Sequence, residues 1–251
     1  MFKVMVTRPE NQMLNFAESL EATGNRAILV PLIKIEYLEC SYTYLRDRLC
    51  WSSIIIFTSQ NTIHSTVDKI NNPAFFNQKT IFAIGRKTQQ KLITKNLKKV
   101  CTPLDDYSSE GLLKLTELSE ISVKNQNILI LKGRGGRKKL EYNLQKRGAN
   151  VKYIDCYFRR EIEISISKVF SIYQILKPDI IVITSGSILL SLVKKIKAEK
   201  LSFLFNIPVL VVSERLGKIT RRLGFSGELV IAKNADNRSV LDSIKSWGLK
   251  Q

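Results

Sequence analysis

The chain carries one architecture twice, and one of the two copies is cut and rejoined. Ser53-Ile54-Ile55-Ile56-Phe57-Thr58-Ser59 returns as Asp179-Ile180-Ile181-Val182-Ile183-Thr184-Ser185, each an apolar run closing on Thr-Ser before a helical pattern. The next run, Thr80-Ile81-Phe82-Ala83-Ile84-Gly85, has its counterpart in Pro208-Val209-Leu210-Val211-Val212-Ser213 at nearly the same offset. A third run, Asn127-Ile128-Leu129-Ile130-Leu131-Lys132-Gly133-Arg134, has no partner downstream. Its partner is at the other end of the chain, Lys3-Val4-Met5-Val6-Thr7-Arg8. Both lead through a helix-length segment to a glycine, Gly24 or Gly148, and then to another apolar strand. The repeat predicts two similar lobes, one continuous and one assembled from both chain ends, with function expected in a cleft between them.

Short apolar strands alternate with helical segments along the whole length, a pattern that predicts α/β lobes with parallel, flavodoxin-like sheets covered on both faces. The expected discontinuous lobe is 1–33 plus 163–251, and the continuous lobe is 41–154. The stretches 34–40 and 155–162 lack helical period and are rich in alternating Ile, Tyr, Phe and Glu. They are expected to form a two-stranded β ribbon between the lobes, thin enough to act as a hinge. Within the lobes, single helices are expected over 61–71, 86–96, 167–176, 214–223 and 237–247, the fifth expected strand of the continuous lobe ends at Ile154, and Pro9-Glu10 should open the first helix.

Composition removes several function classes. No apolar run approaches the ~18 residues of a membrane span, and the N-terminus enters a strand pattern directly instead of an export signal, so a cytoplasmic protein is expected. Four cysteines without CxxC spacing and a single histidine, His64, argue against a metal centre, and a His-based triad has no second candidate. The formal net charge of +18 fits a polyanionic partner, or a lysine-rich coding bias. The basic residues are spread over many helices and are not interleaved with aromatics, so single-stranded nucleic acid is a poor fit.

In open parallel sheets, ligands bind beyond the carboxyl ends of the strands. Those ends here are Thr7-Arg8, Thr58-Ser59, Gly85, Lys132 to Arg137, Thr184-Ser185 and Ser213, each followed by a helical pattern. Helix-start amides bind anions, so the set suits a ligand with several carboxylates or phosphates; the alternative is that the hydroxyls are only N-caps. Gly133-Arg134-Gly135-Gly136-Arg137 has neither P-loop nor dinucleotide spacing. It is either a close approach to a ligand anion or a tight turn that needs its glycines. Tyr157, at the lobe crossing, could donate a proton to a leaving hydroxyl or simply pack.

Taken together, Val4-Met5-Val6-Thr7-Arg8-Pro9, Phe57-Thr58-Ser59-Gln60-Asn61, Ala83-Ile84-Gly85-Arg86-Lys87-Thr88, Leu131-Lys132-Gly133-Arg134-Gly135-Gly136-Arg137, Arg147-Gly148-Ala149 leading to Tyr157, and Thr184-Ser185 stand in the order seen in uroporphyrinogen-III synthases. The resemblance covers essentially the whole chain. It implies two α/β lobes on a two-stranded ribbon, and a monomeric, cofactor-free lyase. Such an enzyme closes hydroxymethylbilane, a linear tetrapyrrole with eight carboxylates, into uroporphyrinogen III while inverting ring D. Hand-over from hydroxymethylbilane synthase is implied as well. Carried over, Thr58, Ser59, Thr88, Thr184 and Ser185 would bind acetate and propionate groups, and Tyr157 would assist loss of the hydroxyl. Along the same motifs, Arg8, Asn61, Gly85, Arg134, Gly136, Arg137 and Ser213 would contact substrate. One departure stands out. Where the family has an Ile-Gly-x-x-Thr turn, this chain reads Val212-Ser213-Glu214-Arg215-Leu216, without the hydroxyl at 216. The rival reading is a non-catalytic polyanion- or nucleic-acid-binding protein on the same two lobes.

Overall fold

The computed structural model describes residues 1–135 and 138–251. In chain order the described strands are β1 (Lys3–Val6), β2 (Arg26–Leu29), β3 (Ile33–Tyr37), β4 (Ile54–Phe57), β5 (Thr80–Ala83), β6 (Val100–Cys101), β7 (Asn127–Gly133), β8 (Asn150–Glu161), β9 (Ile180–Ile183), β10 (Val209–Val211) and β11 (Leu229–Ile231). The chain separates into two compact units, Met1–Ile35 with Arg160–Gln251, and Glu36–Arg159.

The first unit holds a five-stranded sheet in the order β11-β10-β9-β1-β2, with every pairing parallel. β9 is buried along its whole length, as expected of a central strand covered on both faces. Successive side chains alternate between the layers. Met5, Ile28, Ile181 and Ile183 pack with Ile188, Leu192 and Ile196 of the helix Gly186–Ala198. Val4, Val6, Ile180 and Val182 pack with Phe16 and Leu20 of the helix Glu10–Glu21 and with Val240, Ile244 and Trp247 near the C-terminus. Each such side chain, fully buried, contributes roughly 1.5–3 kcal/mol.

The second unit carries most of the other sheet, in the order β3-β8-β7-β4-β5-β6. Laid beside the first, β4, β5, β6, β7 and β8 take the places of β9, β10, β11, β1 and β2. Read in chain order, the first unit has the flavodoxin-like order 2-1-3-4-5. The second has the same spatial arrangement entered at a different strand, which makes it 3-2-1-4-5.

Three local expectations differ from what is found. The segment 61–71 is two short helices, Asn61–His64 and Val67–Ile70, and not one. Its hydroxyls hydrogen-bond the backbone and compete with helix propagation: Thr62 Oγ1 to the Ser59 carbonyl (2.6 Å), Thr66 Oγ1 to the Thr62 carbonyl (2.6 Å) and Ser65 Oγ to the Cys156 carbonyl (2.8 Å). The helix expected over 167–176 spans Ile166–Tyr173 and stops where Gln174 turns left-handed (φ 52°), ahead of Pro178. The strand expected to end at Ile154 runs on to Glu161. The Leu38 amide donates to the Cys156 carbonyl (2.9 Å) and the Ile162 amide to the Leu32 carbonyl (3.0 Å), so β3 and β8 are antiparallel. The ribbon is therefore the prolonged end of a sheet strand with β3 laid along it.

Candidate functional site

In each unit the direction of winding reverses at one place, between β4 and β7 in the second unit and between β9 and β1 in the first. Such switch points open a crevice beyond the strand ends. A threonine fastens each one. Thr58 Oγ1 and its amide both donate to the Leu131 carbonyl of β7 (3.0 Å each), and Thr7 Oγ1 donates to the Val182 carbonyl of β9 (2.6 Å).

In the second unit, Thr58, Ser59 and Asn61 follow β4, Gly85 and Thr88 follow β5, and Arg134 follows β7. Ser59 Oγ accepts from the Asn61 amide (3.3 Å), and Asn61 and Thr88 are buried. The helix after β4 is a single turn, so it offers little dipole to an anion. Gly85 opens the longer helix Arg86–Thr94 without a side-chain cap, and the Tyr107 ring lies against it. Gly136 and Arg137, also expected here, lie outside the described residues.

The β7–β8 pairing contains a bulge. Lys132 faces Asp155, but Gly133 faces Tyr157, so Cys156 is the extra residue. Bulges re-aim side chains, and this one brings Tyr157 over the backbone of Gly133. A Cβ at 133 would lie 2.6 Å from Tyr157 Cζ and 3.0 Å from its hydroxyl oxygen, so only glycine admits the ring. The Arg134 amide donates to the Tyr157 carbonyl (2.8 Å), fixing strand end to bulge. Tyr157 is 2% exposed, and its phenol oxygen accepts from the Arg159 guanidinium at 3.2 Å.

Around this point, beside the expected Lys132 and Arg134, are groups to which the sequence reading gave no role, Asp155 and Tyr37 among them. The Asp155 carboxylate lies 3.8 Å from both Lys132 Nζ and Arg134 Nε, and Lys132 Nζ also sits 4.1 Å from the Tyr153 ring centroid. Tyr37 stacks on His64 (4.0 Å, 17°) and is 40% exposed. Partial burial, then the charges of Asp68 and Tyr157, push the Tyr37 phenol above its ordinary pKa, so it keeps its proton. The signal for Arg159 was present, since residues i and i+2 of a strand share a face. The bulge left no such signal.

In the first unit the hydroxyls at the strand ends act as N-caps. Ser185 Oγ accepts from the Ile188 amide (3.3 Å) and lies 3.1 Å from Ser187 Oγ, while Ser213 Oγ accepts from the Leu216 amide (3.2 Å). Thr184, just ahead of Ser185, is partly exposed. Arg8, an expected substrate contact, is engaged within its own unit. It is 2% exposed, its Nη1 donates to Asn237 Oδ1 (2.6 Å) and its guanidinium lies 4.1 Å from the Phe16 ring centroid. Desolvation, partly offset by Asp236, lowers its pKa to about 10, so at neutral pH it is a buried cation that tethers the loop before the last helix. Leu216 is 4% exposed and belongs to the core.

Among the described residues no group of three or more His, Cys, Asp or Glu side chains is arranged to hold a metal ion. All four cysteines are free, and burial pushes the Cys156 thiol up to about 12. No helix among them is long and apolar enough to cross a membrane.

A family model described as uroporphyrinogen-III synthase HemD matches residues 15–242. The uroporphyrinogen-III synthase of Escherichia coli (strain K12) is 32% identical over 248 residues, covering 96% of this chain and 99% of the relative. That of Salmonella typhimurium is 32% identical over 253 residues with the same coverage. Two crystal structures share the fold. A mutant uroporphyrinogen III synthase of the extremely thermophilic bacterium Thermus thermophilus has TM-score 0.67 and 14% identity over 100% of both chains. The Helicobacter pylori 26695 enzyme has TM-score 0.61 and 17% identity over 98% of this chain and 100% of the other.

Proposed function

The chain belongs to the uroporphyrinogen-III synthase family, and from that premise we propose which of its residues carry the family's reaction. It is a cyclising lyase of porphyrin and heme biosynthesis. The substrate is hydroxymethylbilane, whose hydroxyl leaves as water to give an azafulvene cation. Ring D is attacked through its substituted carbon, and the spiro intermediate fragments and recloses with that ring turned over. No cofactor takes part. The enzyme is a cytoplasmic monomer and receives its unstable substrate from hydroxymethylbilane synthase.

Tyr157 is the proton donor to the departing hydroxyl. Thr58, Ser59, Asn61, Gly85, Thr88 and Arg134 in one unit, and Thr184, Ser185 and Ser213 in the other, receive substrate carboxylates, largely through backbone amides at the strand ends. Gly136 and Arg137, two and three residues after Arg134 in sequence, are assigned the same carboxylate-binding role. With no strong nucleophile or metal invoked, the main contribution is conformational, holding a flexible chain while reactive species form and close.

The observation that carries this reading is the bulge, which costs one residue of strand pairing and places a phenol at the glycine-lined end of β7. The test is product analysis with freshly made hydroxymethylbilane, followed by oxidation and separation of the uroporphyrin isomers. The native chain is expected to give isomer III well above the uncatalysed control. Tyr157→Phe is expected to turn over about a hundredfold more slowly while folding normally. Unchanged turnover in that variant removes Tyr157 from the chemistry.

A further inference from the structure

We propose that Arg159 is a positioning residue for the reaction, holding the phenol of Tyr157 by its oxygen so that the hydroxyl proton is directed away from β8. The inference rests on the reading of Tyr157 as the proton donor. A phenol oxygen both donates and accepts. Here Arg159 Nη2 is 3.2 Å from that oxygen and acts as the donor, because guanidinium has no accepting atom. The phenol's own proton must therefore point elsewhere. The same guanidinium lies 5.3 Å from the Tyr157 ring centroid, so it both covers the ring and binds its tip. The Gly133 backbone closes against the ring as well, with no room for a Cβ between them.

Arg159 is otherwise uncommitted. It is exposed, and among the described residues it forms no salt bridge. Most of the other cations near the β7–β8 strand end are engaged. Lys132 and Arg134 share Asp155. A fixed positive charge at the phenol oxygen matters during transfer. As the carbon–oxygen bond of the substrate breaks, the phenol proton passes to the departing hydroxyl, which leaves as water. The phenolate that remains pairs with the guanidinium, and a charge-assisted hydrogen bond is stronger than the neutral one it replaces. The proton shed by the terminal ring carbon at final closure restores the phenol, so the cycle consumes nothing.

The test is a double-mutant cycle on the full-length protein, with kcat and KM measured separately for Tyr157→Phe, Arg159→Met, Arg159→Lys and the double variant. Thermal unfolding of each variant checks the fold. Arg159→Met is expected to lower kcat about tenfold with KM little changed, an effect in the range of neighbouring residues that act together. Arg159→Lys should recover part of that loss, since it keeps the charge without the planar fork. The double variant should be no slower than Tyr157→Phe alone. Unchanged kcat in Arg159→Met overturns the proposal, and so does an equal further loss in the Tyr157→Phe background. A rise in KM alone would make Arg159 a carboxylate anchor and likewise overturns it. Undiminished turnover in Tyr157→Phe would instead sink the reading of Tyr157, and the positioning role with it.

Discussion

Leu216 shows how a departure from a family pattern can be absorbed by packing. The position faces inward: Leu216 joins Val211 and Ile188 in the core, and the equivalent Thr88 of the other unit is buried too. Its neighbour Gly217 lies where a Cβ would be 2.9 Å from Leu229. Leu216→Thr is expected to cost about 2–3 kcal/mol in urea unfolding, from lost apolar volume and a buried hydroxyl, with no gain in isomer III. Gly133→Ala tests the opposite kind of crowding. The added methyl must displace the Tyr157 ring, so stability should fall by about 1–3 kcal/mol and turnover with it. Turnover intact in Gly133→Ala would mean the ring can sit elsewhere and still work. Tyr157 and Gly133 could both be picked out of the sequence as residues of interest. Their contact could not, because an alternating pattern carries no mark of the extra residue at Cys156 that brings them face to face. The hydrogen bond of Arg8 to Asn237 was hidden for a related reason, since the two residues are far apart in sequence.

At the level of elements, one carboxylate joins two helices. Glu199 follows the helix Gly186–Ala198 and caps the start of Ile166–Tyr173, accepting from the Ile166 and Ser167 amides (2.9 Å each) and from the hydroxyls of Ser165 (3.0 Å) and Ser167 (2.9 Å). Burial alone would raise its pKa, but these donors outweigh it and hold the carboxyl below its usual range. A depressed carboxyl pKa stabilises the fold above the unfolded value, about 4.3, and that contribution disappears as pH falls through the lowered folded value. Glu199→Gln should therefore lose about 1 kcal/mol at pH 7, a modest figure because the group is largely solvated. In chemical denaturation the two proteins should converge once the pH has fallen below the lowered folded value of Glu199. A difference that persists there would assign the effect to shape instead of charge. The helix expected over 237–247 is found as Asn237–Gly248, and the structure adds its cap, Asp236. The segment 61–71 misled because its hydroxyl residues suit a helix surface as well as the backbone bonds they make here.

On the scale of the whole molecule, the permuted repeat was the most legible feature, since strands buried on both faces appear as uninterrupted apolar runs that can be matched by eye. What it could not reveal was that the second unit's sheet continues into the ribbon through β8. The uninterrupted stretch 33–161 contains β3 to β8 and keeps β8 paired rather than exposed as a bare edge. Expressed alone, it is expected to melt cooperatively and to make no isomer III; a non-cooperative melt would show that it depends on the rest of the chain. The other sheet has a different history during synthesis. β1 belongs between β2 and β9, and β9 emerges about 175 residues after it, a wait on the order of ten seconds at ribosomal speed. Throughout that interval the nascent strand–helix–strand carries one unpaired strand edge, a row of open backbone donors and acceptors that any other extended segment could claim.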